Sequence, residues 1–187
     1  GHLSRAYGLS IDSLLEVDIV LASGKLITAN EKDNSDLFWA VQGGGGNFGV
    51  VTSFLFKVHD AGTVYGGPML WHIADAEGMM KFYRDYILKA PNEVYCYFAF
   101  LTVPPVPIFP EELHLKKMCG LVWCNVGDPE KAAEAVNVFR SFKKPALDWA
   151  GPIPYSALQS LFDGLYPPGL QWYWKADFVK DLSDEAI

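Results

Sequence analysis

Seven consecutive residues, Gly43-Gly44-Gly45-Gly46-Asn47-Phe48-Gly49, are the part of this sequence best suited to hold a charged ligand. Glycine carries no Cβ, so its backbone N–H groups can approach an anion closely. Gly44, Gly46 and Gly49 also satisfy the G-x-G-x-x-G spacing of a dinucleotide fingerprint. That fingerprint works by following a strand and opening a helix, whose N-terminus receives the pyrophosphate. Here the order is reversed. Asp36 to Val41 reads as a short helix ended by glycine, and Val50 to Val58 as a strand rich in β-branched and aromatic residues. A Rossmann site is therefore disfavoured. Two readings of the glycines stay open, a tight structural turn or a backbone cradle for an anion.

A second stretch with chemistry to offer is Leu170 to Val179, which alternates as a strand. Leu170, Trp172, Trp174, Ala176 and Phe178 form an apolar face, while Gln171, Tyr173, Lys175 and Asp177 form a face able to make hydrogen bonds. The polar face suits either solvent or a substrate. Cys96, Cys119 and Cys124 make an odd count with no disulfide framework. Cys119 and Cys124, an odd number apart in a strand-like stretch, should point to opposite faces and cannot readily share a metal. His2, His59, His72 and His114 show no ligand spacing. No Gly-x-Ser-x-Gly elbow is present, and no nucleophile–base pair stands out along the sequence.

The elements that must position these residues can be read from periodicity. Leu15, Val17, Ile19 and Leu21 alternate with Glu16 and Asp18, and Ser23-Gly24 turns the chain into a second strand, Lys25 to Ala29. From about Thr63 the elements lengthen. Thr63 to Ile73 reads as a strand with a bulge or bend at Gly66-Gly67, and Asp75 to Lys89 as a helix stopped by Pro91. Val94 to Val103 and His114 to Asn125 read as strands, separated by a Pro-rich surface loop. Tyr95, Tyr97, Phe98, Phe100 and Trp123 alternate along them and are taken as core. Asp128-Pro129-Glu130 opens a helix, with Ala132, Val136 and Phe139 on one apolar stripe. Tyr155 to Phe162 reads as a short helix, and Ser183-Asp184-Glu185 as the start of another. Strands and helices without regular βαβ alternation give an α+β fold, with a boundary near residue 60.

The 187 residues carry a formal net charge of −7, with Lys and Arg scattered and no basic footprint for nucleic acid. No apolar run is long enough to span a bilayer, and no secretory leader is visible, which favours the cytoplasm.

Read as a whole, Asp36 to Thr52 (DLFWAVQGGGGNFGVVT) resembles the berberine-bridge-enzyme-like group of FAD-linked oxidases, within the vanillyl-alcohol-oxidase type of flavoprotein. The opening Gly1 to Asp12 (GHLSRAYGLSID) is similar to the segment that follows the flavin loop in that family. The hairpin Asp18 to Thr28 has the family's form, and Pro154 to Gln159 and Tyr173-Trp174-Lys175 resemble its substrate-domain motifs. The resemblance implies that residues 1–60 are the C-terminal portion of a PCMH-type FAD-binding domain. Residues 61–187 would then be a substrate domain of antiparallel sheet covered by helices, incomplete at its C-terminus. It implies that Gly1, Gly8 and Leu9 border the flavin diphosphate and ring region, and that Gly46, Asn47, Gly49, Val50 and Val51 line the cofactor. Gln42 departs from the family, where arginine is more usual. Tyr173 and Lys175 become candidates for substrate positioning.

In the family, the residues of covalent flavin attachment lie before this stretch, and further flavin contacts and often the catalytic base lie after it. The resemblance therefore implies an internal fragment, inactive alone and binding FAD weakly or not at all. The intact protein would oxidise a small organic substrate by hydride transfer to flavin, with O2 as acceptor. Two alternatives remain: a catalytically inactive binding or oligomerisation module of the same fold, and an unrelated α+β hydrolase or transferase domain. Exposed apolar surface in such a fragment would favour a homo-oligomer.

Overall fold

Ser4–Tyr7 (α1) is a single helical turn with no buried residue, closed by Gly8 at φ 76°. Leu14–Val20 (β1) and Leu26–Asn30 (β2) form the expected hairpin, closed by hydrogen bonds between Leu21 and both Gly24 and Lys25. Ser35–Val41 (α2) follows, then the glycine loop and Val50–Phe56 (β3). The three strands form an antiparallel sheet in the order β2-β1-β3. Leu14, Val17, Ala29 and Phe38 make its core, with Ile11, Leu37, Val41 and Val51 packed against them. The simple alternation read from Leu15 is corrected at its start. The register against β3 slips between Leu14 and Glu16, so Leu14 turns inward and Leu15 is 47% exposed. A bulge inserts one residue and reverses the parity before it.

The structure is a computed structural model that describes residues 1–187, and it divides into two units at Asp60 and Ala61, with His2 grouped with the second. The second unit is built on Thr63–His72 (β4), which is followed by Ala76–Ile87 (α3), Cys96–Thr102 (β5) and Lys117–Asn125 (β6). Pro129–Phe142 (α4), Leu147–Asp148 (β7), Gly151–Pro154 (β8) and Tyr155–Gln159 (α5) complete it. The order β5-β6-β4 is extended on the far edge of β4 by β8 along its first half and β7 along its second. All pairs are antiparallel.

Asp128 caps α4 as its sequence implies, accepting from the N–H groups of Glu130 and Lys131. The apolar stripe of α4 (Ala135, Val136, Phe139) meets Trp71, Met79, Leu121 and Trp123 in the larger core. Leu70, Val103, Leu113, Met118 and Leu147 form a second cluster.

Three expectations for this unit are corrected. The ladder between β4 and β6 runs unbroken through Gly66 and Gly67, so there is no bulge against β6. Close approach accounts for Gly66, where a Cβ would lie 2.7 Å from the Trp123 carbonyl oxygen; on Gly67, whose φ of 118° itself favours glycine, a Cβ would also overlap the Trp149 carbonyl. Phe100, read as core, is 58% exposed on the edge strand β5. Leu170 to Val179 is not a strand but irregular backbone, with Tyr166 packing against Trp172 and Trp174 instead. An alternating pattern makes a strand only when a neighbour supplies the ladder, and neither edge of the observed sheet pairs with it. Two helix ends also shorten. The segment from Ser183 is one turn, and the helix from Tyr155 stops at Gln159.

Candidate functional site

The glycine loop joins the C-terminus of α2 to the start of β3, the reverse of a dinucleotide fingerprint. The helix therefore presents its partially negative end to the loop, and any anion there must be held by the loop's own N–H groups. The chain leaves α2 through bonds from Gln42 N–H to the Trp39 carbonyl (3.2 Å) and from Gly44 N–H to the Ala40 carbonyl (2.9 Å). Gly45–Asn47 forms a 3-10 turn, and the Asn47 side-chain amide donates to the Gly44 carbonyl at 2.7 Å.

The glycines divide into two kinds. A Cβ on Gly44 would overlap the Ala40 carbonyl and the Phe48 ring, and one on Gly49 the Val20 carbonyl. These two are required by packing within the chain. A Cβ on Gly43, Gly45 or Gly46 would meet nothing within 4 Å, but Gly43 (φ 133°) and Gly45 (φ 66°) sit in the left-handed region that favours glycine. Gly46 alone has φ −79° and ψ 16°, open to ordinary residues. Neither packing nor backbone geometry calls for glycine there. Beside the loop, Trp39, Ala40, Gln42, Gly43, Gly44 and Phe48 line an apolar cleft of about 400 Å³. Of the two valines singled out, Val51 is spent on the unit's core, while Val50 is 70% exposed.

Gly1, Gly8 and Leu9 lie around α1. The Gly1 carbonyl accepts from Ser4 N–H (3.2 Å) and Ser4 Oγ (2.8 Å). Leu9 N–H donates to Asp12 Oδ2 at 2.7 Å, so that amide is already satisfied, while the Leu9 side chain is exposed. Gly8 and Leu9 border a second cavity, of about 390 Å³, with Tyr7, Ser10, Ser13, Lys57 and His59 among its other walls. Here the structure brings together residues that sequence reading missed: the His59 ring stacks on Tyr7 at 4.2 Å and 16°, and its Nε2 lies 3.1 Å from Ser13 Oγ. Their only link is the strand pairing that carries residue 57 back to residue 13, which no local spacing reveals.

In the second unit, Tyr173 and Lys175 are exposed on irregular backbone, so the sided face that singled them out is not formed. The three cysteines are buried and free. Burial pushes the thiols of Cys119 and Cys124 up to about 11, which keeps them protonated at neutral pH and poor nucleophiles. A cavity of about 630 Å³ lies by the first turn of α4. Its buried polar residue, Asn125, is engaged through Oδ1 with Tyr95 N–H.

No protein-family model matches the chain. An FAD-linked oxidoreductase of Dictyostelium discoideum is 30% identical over 183 residues, covering 97% of this chain. The chain spans 37% of that relative's length. Among solved structures, 6-hydroxy-D-nicotine oxidase from Arthrobacter nicotinovorans superposes with a TM-score of 0.71 at 22% identity, over 90% of this chain and 36% of its own. The wild-type BBE-like 1 protein of Physcomitrella patens gives a TM-score of 0.66 at 25% identity, over 91% of this chain and 35% of its own.

Proposed function

We propose that this chain, which belongs in sequence and fold with the berberine-bridge-enzyme-like FAD-linked oxidoreductases, forms one wall of an FAD site through its first unit. The observation that carries this reading is Gly46, where a side chain would meet nothing within 4 Å and the backbone is open to ordinary residues. A glycine that packing does not require, between two that it does, suits a surface approached closely by something outside the chain. The residues present fit a flavin nucleotide. The loop offers backbone N–H groups with no Cβ before them, Asn47 braces it from within, and the neighbouring cleft is apolar. Gln42 supplies no charge where the family has arginine, so binding here rests on backbone dipoles.

Bound FAD would supply hydride acceptance from a substrate C–H, with reoxidation by O2. What this chain contributes is orientation and exclusion of water around the cofactor's edge. For the second unit the proposal extends to Tyr173 and Lys175. Both are exposed side chains able to hydrogen-bond a small organic substrate.

The test is flavin content. The 187-residue polypeptide is expected to purify colourless, and the same polypeptide with its flanking coding sequence to purify yellow and reduce on adding substrate. A colourless flanked protein would overturn the reading and favour a binding module of the same fold. Stoichiometric flavin in the polypeptide alone would show that one wall suffices.

A further inference from the structure

We infer that His59 is a positioning residue whose imidazole brackets the Gly8–Leu9 turn and holds it in place for the flavin, an inference that rests on the flavin reading above. The turn needs an outside support. α1 is one turn long and buries no residue, and neither does the 3-10 turn Ser10–Ser13 that follows. Ile11 packs against the sheet core but is only partly buried, and elements this short have little intrinsic stability.

Two sets of contacts divide the work. Within the turn, Asp12 fixes its shape: its carboxylate accepts from Leu9 N–H at 2.7 Å, and its own N–H donates to the Leu9 carbonyl at 3.0 Å. Gly8, at φ 76° with Asp12 Oδ2 only 2.5 Å from where a Cβ would sit, admits no other residue without strain. These bonds stay within the turn, whose other anchor is Ile11 against the sheet core.

His59 adds a second tie, from the end of β3. Lys57 N–H donates to the Ser13 carbonyl at 2.8 Å, one step beyond the end of β3, and so delivers residue 59 alongside Ser13. The imidazole then touches one residue on each side of the turn. Tyr7, just before Gly8, lies flat against it at 4.2 Å, and Ser13, just after Asp12, shares a hydrogen bond with its Nε2 at 3.1 Å. Both contacts line the cavity onto which Gly8 and Leu9 open. The ring thus clamps both ends of a turn whose shape is set elsewhere.

The experiment uses three variants of the full chain, His59→Ala, His59→Gln (hydrogen bond to Ser13 kept) and His59→Phe (stacking on Tyr7 kept), each also in the protein with its flanking coding sequence. Amide hydrogen exchange at Leu9 and Asp12 is expected to rise roughly ten-fold in His59→Ala, the loss of one stacking contact and one hydrogen bond. Gln and Phe should fall between, and exchange at Leu121 and Val122 of β6 should not move. The FAD Kd of the flanked protein should rise by a similar factor in His59→Ala, with partial rescue by the other two and an unchanged melting temperature. Unchanged exchange at Leu9 overturns the bracket. Faster exchange with an unchanged FAD Kd overturns the positioning role. A flanked wild-type protein without flavin would instead sink the earlier reading.

Discussion

Two apolar strands, β6 and β3, meet opposite fates. In β6, Lys117–Asn125, every residue after the first is buried, whereas β3, Val50–Phe56, buries none. Composition does not separate them, since β3 holds Val50, Val51, Phe54, Leu55 and Phe56. The difference lies in what covers their faces. β6 is central, with β5 and β4 on its edges, Phe139 of α4 against Trp123, and Leu113 with Leu70 around Met118. β3 is an edge strand of a three-stranded sheet, and its Phe54 and Phe56 stack on each other at 5.7 Å while remaining 58% and 41% exposed. Burying one such side chain contributes about 1.5–3 kcal/mol. The second unit has gained that stabilisation within this chain, and β3 holds it in reserve.

The contrast can be broken most sharply in the cores. Phe139→Ala should cost about 3–5 kcal/mol of second-unit stability in chemical denaturation. Phe54→Ala should change first-unit stability by no more than about 0.5 kcal/mol; a large loss there would mean that the face of β3 is covered after all. The next effect is pH-dependent. Burial raises the Cys119 and Cys124 thiols from 9.0 to about 11, so above pH 9 the unfolded chain sheds protons that the native state keeps. Stability of the second unit should be full below that value and fall as pH rises towards 11, by about 1.4 kcal/mol per unit of displacement for each thiol. A double Cys119→Ala, Cys124→Ala variant, lower in stability throughout, should lose that slope. Asp128→Ala, which removes the cap of α4, should cost about 1 kcal/mol. The smallest effect on folding belongs to Phe54→Lys with Phe56→Lys. They should leave the melting temperature nearly unchanged while lowering the apparent mass by light scattering, if the exposed face drives self-association.

The same contrast explains what the sequence made legible. β4, α3, β5 and α4 were readable because their signals are local: a β-rich run between breakers, an apolar stripe at helical spacing, Asp128-Pro129 at a helix start. The reversed order around the glycines was readable for the same reason. What failed depended on neighbours. Leu15 faces outward because β3 imposes a slip in register, and Gly66 and Gly67 answer to carbonyls of Trp123 and Trp149 rather than to a bulge. Leu170 to Val179 alternates well, yet no paired strand receives it. In the candidate site, the loop was legible as a loop, but which glycines packing explains was not. His59 showed no signal because its partners, Tyr7 and Ser13, are brought to it by sheet pairing.

The claim on which the rest depends is that the first unit forms a wall of an FAD site, and Gly46 tests it most directly. A side chain there meets nothing within 4 Å and needs no unusual backbone. In the protein with its flanking coding sequence, FAD titration of Gly46→Val should give a Kd at least roughly ten-fold above wild type, from loss of close backbone approach, with the melting temperature of the flavin-free protein unchanged. Equal affinity in wild type and Gly46→Val would contradict the account, because the open glycines would then face no cofactor.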